Sequence, residues 1–340
     1  MKKSSILKIL LAACTISALF VGCSKANTET QNNSNQEAKN STETNANSET
    51  SADAEEIKNQ DTVMVTDVKG EVEIPANPER IVDLSGNSDI LSILGYQVIG
   101  TANSDAYDYT KFPTYLEDTL AGAAILGYSM QDTMDIEAIM NLNPDLIVIS
   151  TVHEKMYEQL REIAPTVMIK LEALNWKEDV KVFAKVFNKE EVASNWLVNY
   201  DKKAKEAGAK VKAAIGEDTT YLSFLASGGQ FYVFDGAGFG SVLYEDMGLN
   251  KPVGMPEQSD ISLPVVTYEG LAEINADYIF IISTDEDRKL VEENTIWNSL
   301  PAVKEGNIVN LPSSPYFVQG YSSIGREILL DEIGEMLNEK

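Results

Sequence analysis

The sequence predicts an α/β protein of two lobes joined by a single long α-helix, with a ligand cleft between the lobes. Three observations carry this expectation. Lys189 to Ile215 reads as one uninterrupted helix. On each side of it, short apolar runs alternate with amphipathic stretches. The length, 340 residues, suffices for two domains of ordinary size.

The long helix is marked by Val192, Trp196, Tyr200, Ala204, Ala207, Val211 and Ile215, which fall mostly three or four apart and make one stripe. Asn188 with Glu191 three places on fits a capping-box start, and Gly216 supplies a stop. At 1.5 Å per residue such a helix runs roughly 40 Å. The expected organisation is a signal peptide over 1–22, a lipidated cysteine and disordered tether over 23–60, a first α/β lobe over 61–187, the connecting helix over 188–216 and a second α/β lobe over 217–340.

In the first lobe, Thr62 to Ile74 alternates around Lys69-Gly70 as a β-hairpin, and Pro75 and Pro78 break it. Strands are expected at Arg80–Leu84, Gln97–Gly100, Asp145–Ser150 and Val167–Lys170. Helices are expected after Asn87, at Met134–Met140 and at His153–Ile163, with a polar, tyrosine-bearing loop from Ala102 to Asp118. In the second lobe, Thr219–Leu225 and Gln230–Phe234 form a hairpin about Gly228-Gly229. Strands follow at Ala276–Ile282 and Ile308–Leu311, with helices at Phe239–Met247, Tyr268–Ile274, Glu286–Glu293, Trp297–Val303 and Tyr321–Leu337. Strands alternating with helices imply mostly parallel sheets, whose ligand edge lies beyond the carboxyl ends of the strands. Ser85, Ser104 to Tyr109, Tyr128 and Thr151 to His153 fall at that edge.

The formal charge of −26 argues against nucleic acid as a partner, because that needs clustered Lys and Arg. Both cysteines, Cys14 and Cys23, lie in the first 23 residues, so the folded part has neither disulfide nor thiolate chemistry. One histidine, His153, speaks against a multi-histidine metal site. Gly236 to Gly240 is glycine-rich but lacks phosphate-loop spacing and reads as a turn before a helix. No GxSxG or HExxH motif occurs, and no catalytic constellation is visible.

Lys2 and Lys3 precede an apolar run from Ile6 to Val21, as in a signal peptide. The sequence Phe20-Val21-Gly22-Cys23 resembles the bacterial lipoprotein signal, with Phe20 in place of the usual leucine. The resemblance implies lipidation of Cys23 and a lipid-anchored protein on the extracytoplasmic face of the cell membrane. Ser24 to Gln60 is polar and almost devoid of large apolar residues, the composition of a disordered tether.

The series PERIVDL, GYQVIG, DIEAIMNLNPDLIVIS and HEKMYEQLREIAPTV, followed by FGSVLYEDMGL, YEGLAEINADYIFI, WNSLPAVKEGNIVNL and GYSSIGREILLDEI, resembles the iron-siderophore branch of ABC-importer substrate-binding lipoproteins. The resemblance runs from about Asp61 to the end. It implies two Rossmann-like lobes, a rigid connecting helix, a monomer, no enzymatic activity, no cofactor of its own, and a ferric siderophore delivered to a permease dimer. Candidate ligand contacts are Ser85, Tyr107, Tyr109, Tyr128, His153, Trp176, Tyr232, Tyr316, Phe317, Gln319 and Tyr321, with Phe231 as a further aromatic. Ser314 to Tyr321 is read as a loop, and Trp196 as core. In this family one glutamate per lobe docks on the permease; Glu137 in DIEAI and Glu269 in YEGLAEI occupy those places. Where relatives often carry ligand-facing arginines, this chain has Val152 and Leu225-Ala226-Ser227. That absence favours neutral or cationic ferric hydroxamates over anionic citrate or catecholate types. A hexadentate chelate fills iron's coordination shell, so no protein ligand to the metal is expected. The alternatives are haem or a corrinoid in the same importer class, an enzyme or chelatase on a similar fold, and an adhesion module.

Overall fold

The structure, a computed structural model, describes residues 61–338 apart from Ala173. The expected signal peptide, the lipidated Cys23 and the tether lie outside the described residues. None of the described helices is long and apolar enough to cross a membrane.

The chain opens with an antiparallel hairpin, β1 (Thr62–Asp67) and β2 (Gly70–Pro75). The Asp67 side chain holds its turn, accepting from the Lys69 and Gly70 amides. The first sheet then forms from β3 (Ile81–Asp83), β4 (Val98–Thr101), β5 (Ala124–Ile125), β6 (Leu146–Ser150) and β7 (Thr166–Ile169). Its order is β5-β4-β3-β6-β7 and every pairing is parallel. β3, β6 and β7 are buried at every position, as strands covered on both faces must be. The second sheet holds β8 (Tyr221–Ser227), β9 (Gln230–Val233), β10 (Val265–Val266), β11 (Tyr278–Ser283) and β12 (Ile308–Pro312) in the order β10-β9-β8-β11-β12. Here β8, β11 and β12 are parallel and β9 returns antiparallel.

One helix, Glu190–Ile215, links the two sheets in sequence. Its stripe differs from the expected one. Ala193 and Leu197 are buried in the first lobe's core, whereas Tyr200, Ala204, Ala207 and Val211 are buried in the second lobe's. The helix changes partner partway along, so the buried face shifts and Val192 is left 41% exposed. Trp196 sits at the changeover, partly buried against both cores.

The capping box does not form. Asn188 adopts a left-handed φ of 52° and closes the preceding helix, Trp176–Val186, through its amide to the Lys185 carbonyl. Lys189 becomes the N-cap of the long helix, without a side-chain cap. Trp176–Val186 was itself absent from the sequence expectation. Ser313–Gln319 is helical with a kink at Ser314 rather than a loop. The expected helix Phe239–Met247 is a short α-turn, Gly238–Ser241, running into a π-turn over Val242–Asp246.

Gly208 lies mid-helix where the long helix crosses the second lobe, and a Cβ there would fall 1.8 Å from the Met247 carbonyl oxygen. In an open helix interior, alanine is better than glycine by about 1 kcal/mol. Here the obstacle is backbone, which cannot rotate aside, so the close approach decides the sign. Gly208→Ala should lower the thermal midpoint by several degrees; a rise, read by circular dichroism, would mean that the two elements are not held at this distance.

Candidate functional site

The carboxyl ends of the strands in both sheets border one cavity of about 650 Å³. The first lobe's share is set by Asp83, the last residue of β3, which is wholly buried. Its carboxylate accepts from the Ser85 amide at 3.0 Å, the Ser85 hydroxyl at 2.6 Å, the Asn87 amide at 3.1 Å and the Ser88 hydroxyl at 2.6 Å. Burial pushes this carboxyl up, and these four donors pull it back. Asn103 locks the same loop, donating to the Gly86 carbonyl at 2.7 Å and accepting from the Ser88 amide at 3.0 Å. Gly86 has a φ of 83°, which suits glycine at this turn. The result is a polar rim of Ser85, Asn87, Asn103 and Ser104, to which Ser150 and Thr151 add hydroxyls after β6.

The opposite wall comes from the second lobe: Leu225 and Ser227 on β8, Tyr232 on β9, Ile261 and Leu263 on the following loop, and Phe317, Tyr321 and Arg326 near the C-terminus. Trp176, Leu171 and Leu174 close one corner. Aromatic faces therefore alternate with amide and hydroxyl groups. Burial pushes three phenols of the cavity up, Tyr128 and Tyr321 to about 12, and Tyr115 well above its usual value. Neutral phenols donate hydrogen bonds. Among the described residues no cluster of three or more His, Cys, Asp or Glu could hold a metal ion.

Arg326 is only 2% exposed, although it borders the cavity. Its Nη1 donates to Asp246 Oδ2 at 2.7 Å, its Nη2 donates to the Ser241 hydroxyl, and Trp176 lies over the guanidinium at 4.8 Å. Asp246 also accepts from the Tyr200 hydroxyl at 2.7 Å. The arginine's charge is thus answered from within the protein.

Of the residues named from sequence, Ser85, Tyr128, Trp176, Tyr232, Phe317 and Tyr321 line the cavity. Tyr107, Tyr109, His153, Tyr316 and Gln319 do not. Tyr109 stacks on Tyr128 at 5.3 Å, and Tyr107 meets Phe317 edge-on at 6.1 Å, so both back the wall. His153 is wholly buried, 3.4 Å from the Ser150 hydroxyl, and burial holds its imidazole below the usual value. Tyr316 packs against the second lobe's core, and Gln319 turns inward to donate to Glu332 at 3.1 Å. Phe231 is core. Tyr115, Asn103, Leu174, Asp179 and Arg326 line the cavity and were not named. Asp179 and Arg326 had a readable signal, since each is a charge placed on the apolar stripe of its own helix.

Glu137 and Glu269 are exposed and share one local design. Each lies in the first turn of a short helix, Ile136–Asn141 and Tyr268–Ile274, behind a side-chain cap from Asp135 or Thr267. Each helix precedes a parallel strand, β6 or β11, so its N-terminus lies toward the sheet edge that bears the cavity.

Residues 89–315 match the family model described as "Periplasmic binding protein". The chain is 32% identical over 283 residues to the iron(3+)-hydroxamate-binding protein FhuD of Bacillus subtilis, covering 80% of this chain and 86% of that one. It is 30% identical to the iron(3+)-hydroxamate-binding protein YxeB of the same organism, covering 79% and 83%. A solved structure from Bacillus subtilis, described as a FhuD fold-family periplasmic binding protein component of a ferrichrome ABC transporter, superimposes with a TM-score of 0.65 at 29% identity, over 81% of this chain and 99% of that one.

Asp179 borders the cavity at 9% exposure, and burial pushes its carboxyl up to about 7 from an ordinary 3.8. The folded chain therefore holds a proton there that the unfolded chain releases. Stability is unaffected below about pH 4, falls as pH rises from there to 7, and carries a full penalty on the order of 4 kcal/mol above 7. Asp179→Asn keeps the acceptor and removes the charge. It should raise the thermal midpoint at pH 8 and leave it near the wild-type value at pH 4; equal shifts at both pH values would refute this account.

Proposed function

The chain belongs to the periplasmic binding protein family, and we propose that it captures a ferric siderophore of hydroxamate type between its lobes and delivers it to an ABC importer. The family consists of substrate-binding proteins of transporters, not enzymes, and the ferric chelate is cargo rather than a cofactor. The observation that carries the ligand reading is the lining of the cavity. Aromatic walls and a hydroxyl-and-amide rim surround a space of about 650 Å³, within the size range of small-molecule sites. A chelate whose iron is already saturated with oxygen ligands needs such walls and donors and no protein ligand to the metal.

Charge supports the hydroxamate class. The cavity's one arginine is paired with Asp246, a carboxylate that Lys177 shares at 3.6 Å, and no lysine lines the cavity. An anionic chelate would meet one cation there, and that one is already held by Asp246 and Ser241. The names of two relatives above 30% or at 30% identity, both iron(3+)-hydroxamate-binding proteins, agree with this. Haem as ligand is disfavoured by His153, which lies outside the cavity wall.

Glu137 and Glu269 are assigned to permease docking. Their matched positions, one per lobe and both exposed near the cavity edge, suit a partner with two equivalent basic sites. The protein acts as a monomer held at the extracytoplasmic face of the cell membrane by lipid on Cys23.

Trp176 on the cavity wall gives the test its signal. Titration of the purified protein with a ferric trihydroxamate should quench tryptophan fluorescence with micromolar or tighter affinity, while a ferric tricatecholate, a ferric citrate-type chelate and haemin should not. Tight binding of haemin alone would overturn the ligand class. Replacing both Glu137 and Glu269 with alanine should leave ligand affinity unchanged and reduce iron uptake by cells severalfold. Uptake at the wild-type rate would remove these residues from the docking surface.

A further inference from the structure

Asp179 is the one carboxylate among the residues that line the cavity, and it has no cationic partner among the described residues. The Glu172 amide donates to its Oδ1 at 2.7 Å. The charges nearest to it, Glu172 and Glu178, are anionic and oppose its ionisation, as does its burial. The cavity's other charge, Arg326, is committed to Asp246. A buried carboxylate is ordinarily paired with a cation, because losing water without gaining a partner is costly. In this site no such partner is found among the described residues.

The surroundings say what kind of partner would fit. Asp179 follows Trp176 by three residues on the helix Trp176–Val186, so the indole and the carboxylate share a face. Leu171 and Leu174 line the same corner. An alkylammonium can lay its methylenes along the leucines and set its charge against the carboxylate, the Trp176 ring being already taken by the Arg326 guanidinium.

We propose that Asp179 receives a protonated amine carried by the bound chelate, so that the cavity selects cationic ferric hydroxamates over neutral and anionic ones. This rests on the reading of the cavity as a hydroxamate site. It also gives a reason for keeping, in a ligand cavity, an acid that weakens the fold above neutral pH.

The test compares two ligands that differ in one charge. Ferric desferrioxamine B ends in a primary ammonium; its N-acetylated form is the same chelate without that charge. At pH 8 the full-length wild-type protein should bind the ammonium form about tenfold more tightly, as expected for a close charge pair out of water. Asp179→Asn, which retains the acceptor for the Glu172 amide, should bring the two affinities together, chiefly by weakening the ammonium form. Asp179→Glu should keep the preference. A merely structural role would change both affinities by the same factor and leave their ratio intact. Equal binding of the two forms by wild type, or an unchanged ratio in Asp179→Asn, overturns the assignment of Asp179 while leaving the hydroxamate site standing. Failure of both forms to bind overturns the site and the assignment together.

Discussion

Arg326 and Asp246 face each other almost wholly out of water, at 2% and 7% exposure, where four helical segments meet. Neither charge could remain there alone. Desolvation of each costs several kcal/mol, and only close, well-formed bonds offset it. Those bonds come from every side. Ser241 and Asp246 lie on the second lobe's α- and π-turns, Tyr200 on the long helix and Arg326 on the last helix, Ser323–Asn338. Trp176, from the helix that precedes the long one, covers the guanidinium. The last helix is fastened to the first lobe as well, since Asp89 accepts from the Ser322 hydroxyl at 2.8 Å and the Ile324 amide at 3.3 Å. The junction between lobes is therefore specified by directional bonds as much as by apolar contact.

That junction also determines the electrostatics of the cavity. The chain carries a formal charge of −26, yet the cavity wall holds one arginine paired with Asp246, one buried aspartate and otherwise uncharged groups. The acidity belongs to the outer surface, where it is solvated and screened. Discrimination inside the cavity then falls to shape, to hydrogen-bond donors and to the few charges present, each of which weighs more in a site partly closed to water.

How much of this was legible in the sequence depended on whether a residue's role was local. The longer strands and the β-hairpins follow from periodicity and turn chemistry and lie where expected, whereas the helix Trp176–Val186 and the two-residue strands β5 and β10 were not expected, and Phe239–Met247 and Ser313–Gln319 took other forms. The spine's buried face did not, because its first turns pack on one lobe and its later turns on the other. Asn188 was read as opening the long helix when its left-handed backbone closes the one before. The ligand edge was legible from topology, which is why Ser85, Tyr128, Trp176, Tyr232, Phe317 and Tyr321 reach the cavity. Whether a neighbouring aromatic faces inward or backs the wall depends on rotation about a single loop, as Tyr107 and Tyr109 illustrate. Arg326 and Asp179 were passed over because they sit on apolar stripes, where a charge looks like an interruption rather than a site.

Both sheets finish, on one side, in strands of only two residues, β5 and β10. The far edge of the first sheet, β7, is covered by the opening hairpin, which lends its Val68 amide to the Met168 carbonyl and its Asp67 carboxylate to the Met168 amide. A strand edge is the place where a second chain can continue a sheet, and two residues offer too short a ladder to hold one. Three of the four borders of the two five-stranded sheets are thus poor templates for growth. Copies of this protein crowded together find few strand edges on these two sheets at which to zipper, a colloidal safeguard built from where the strands stop.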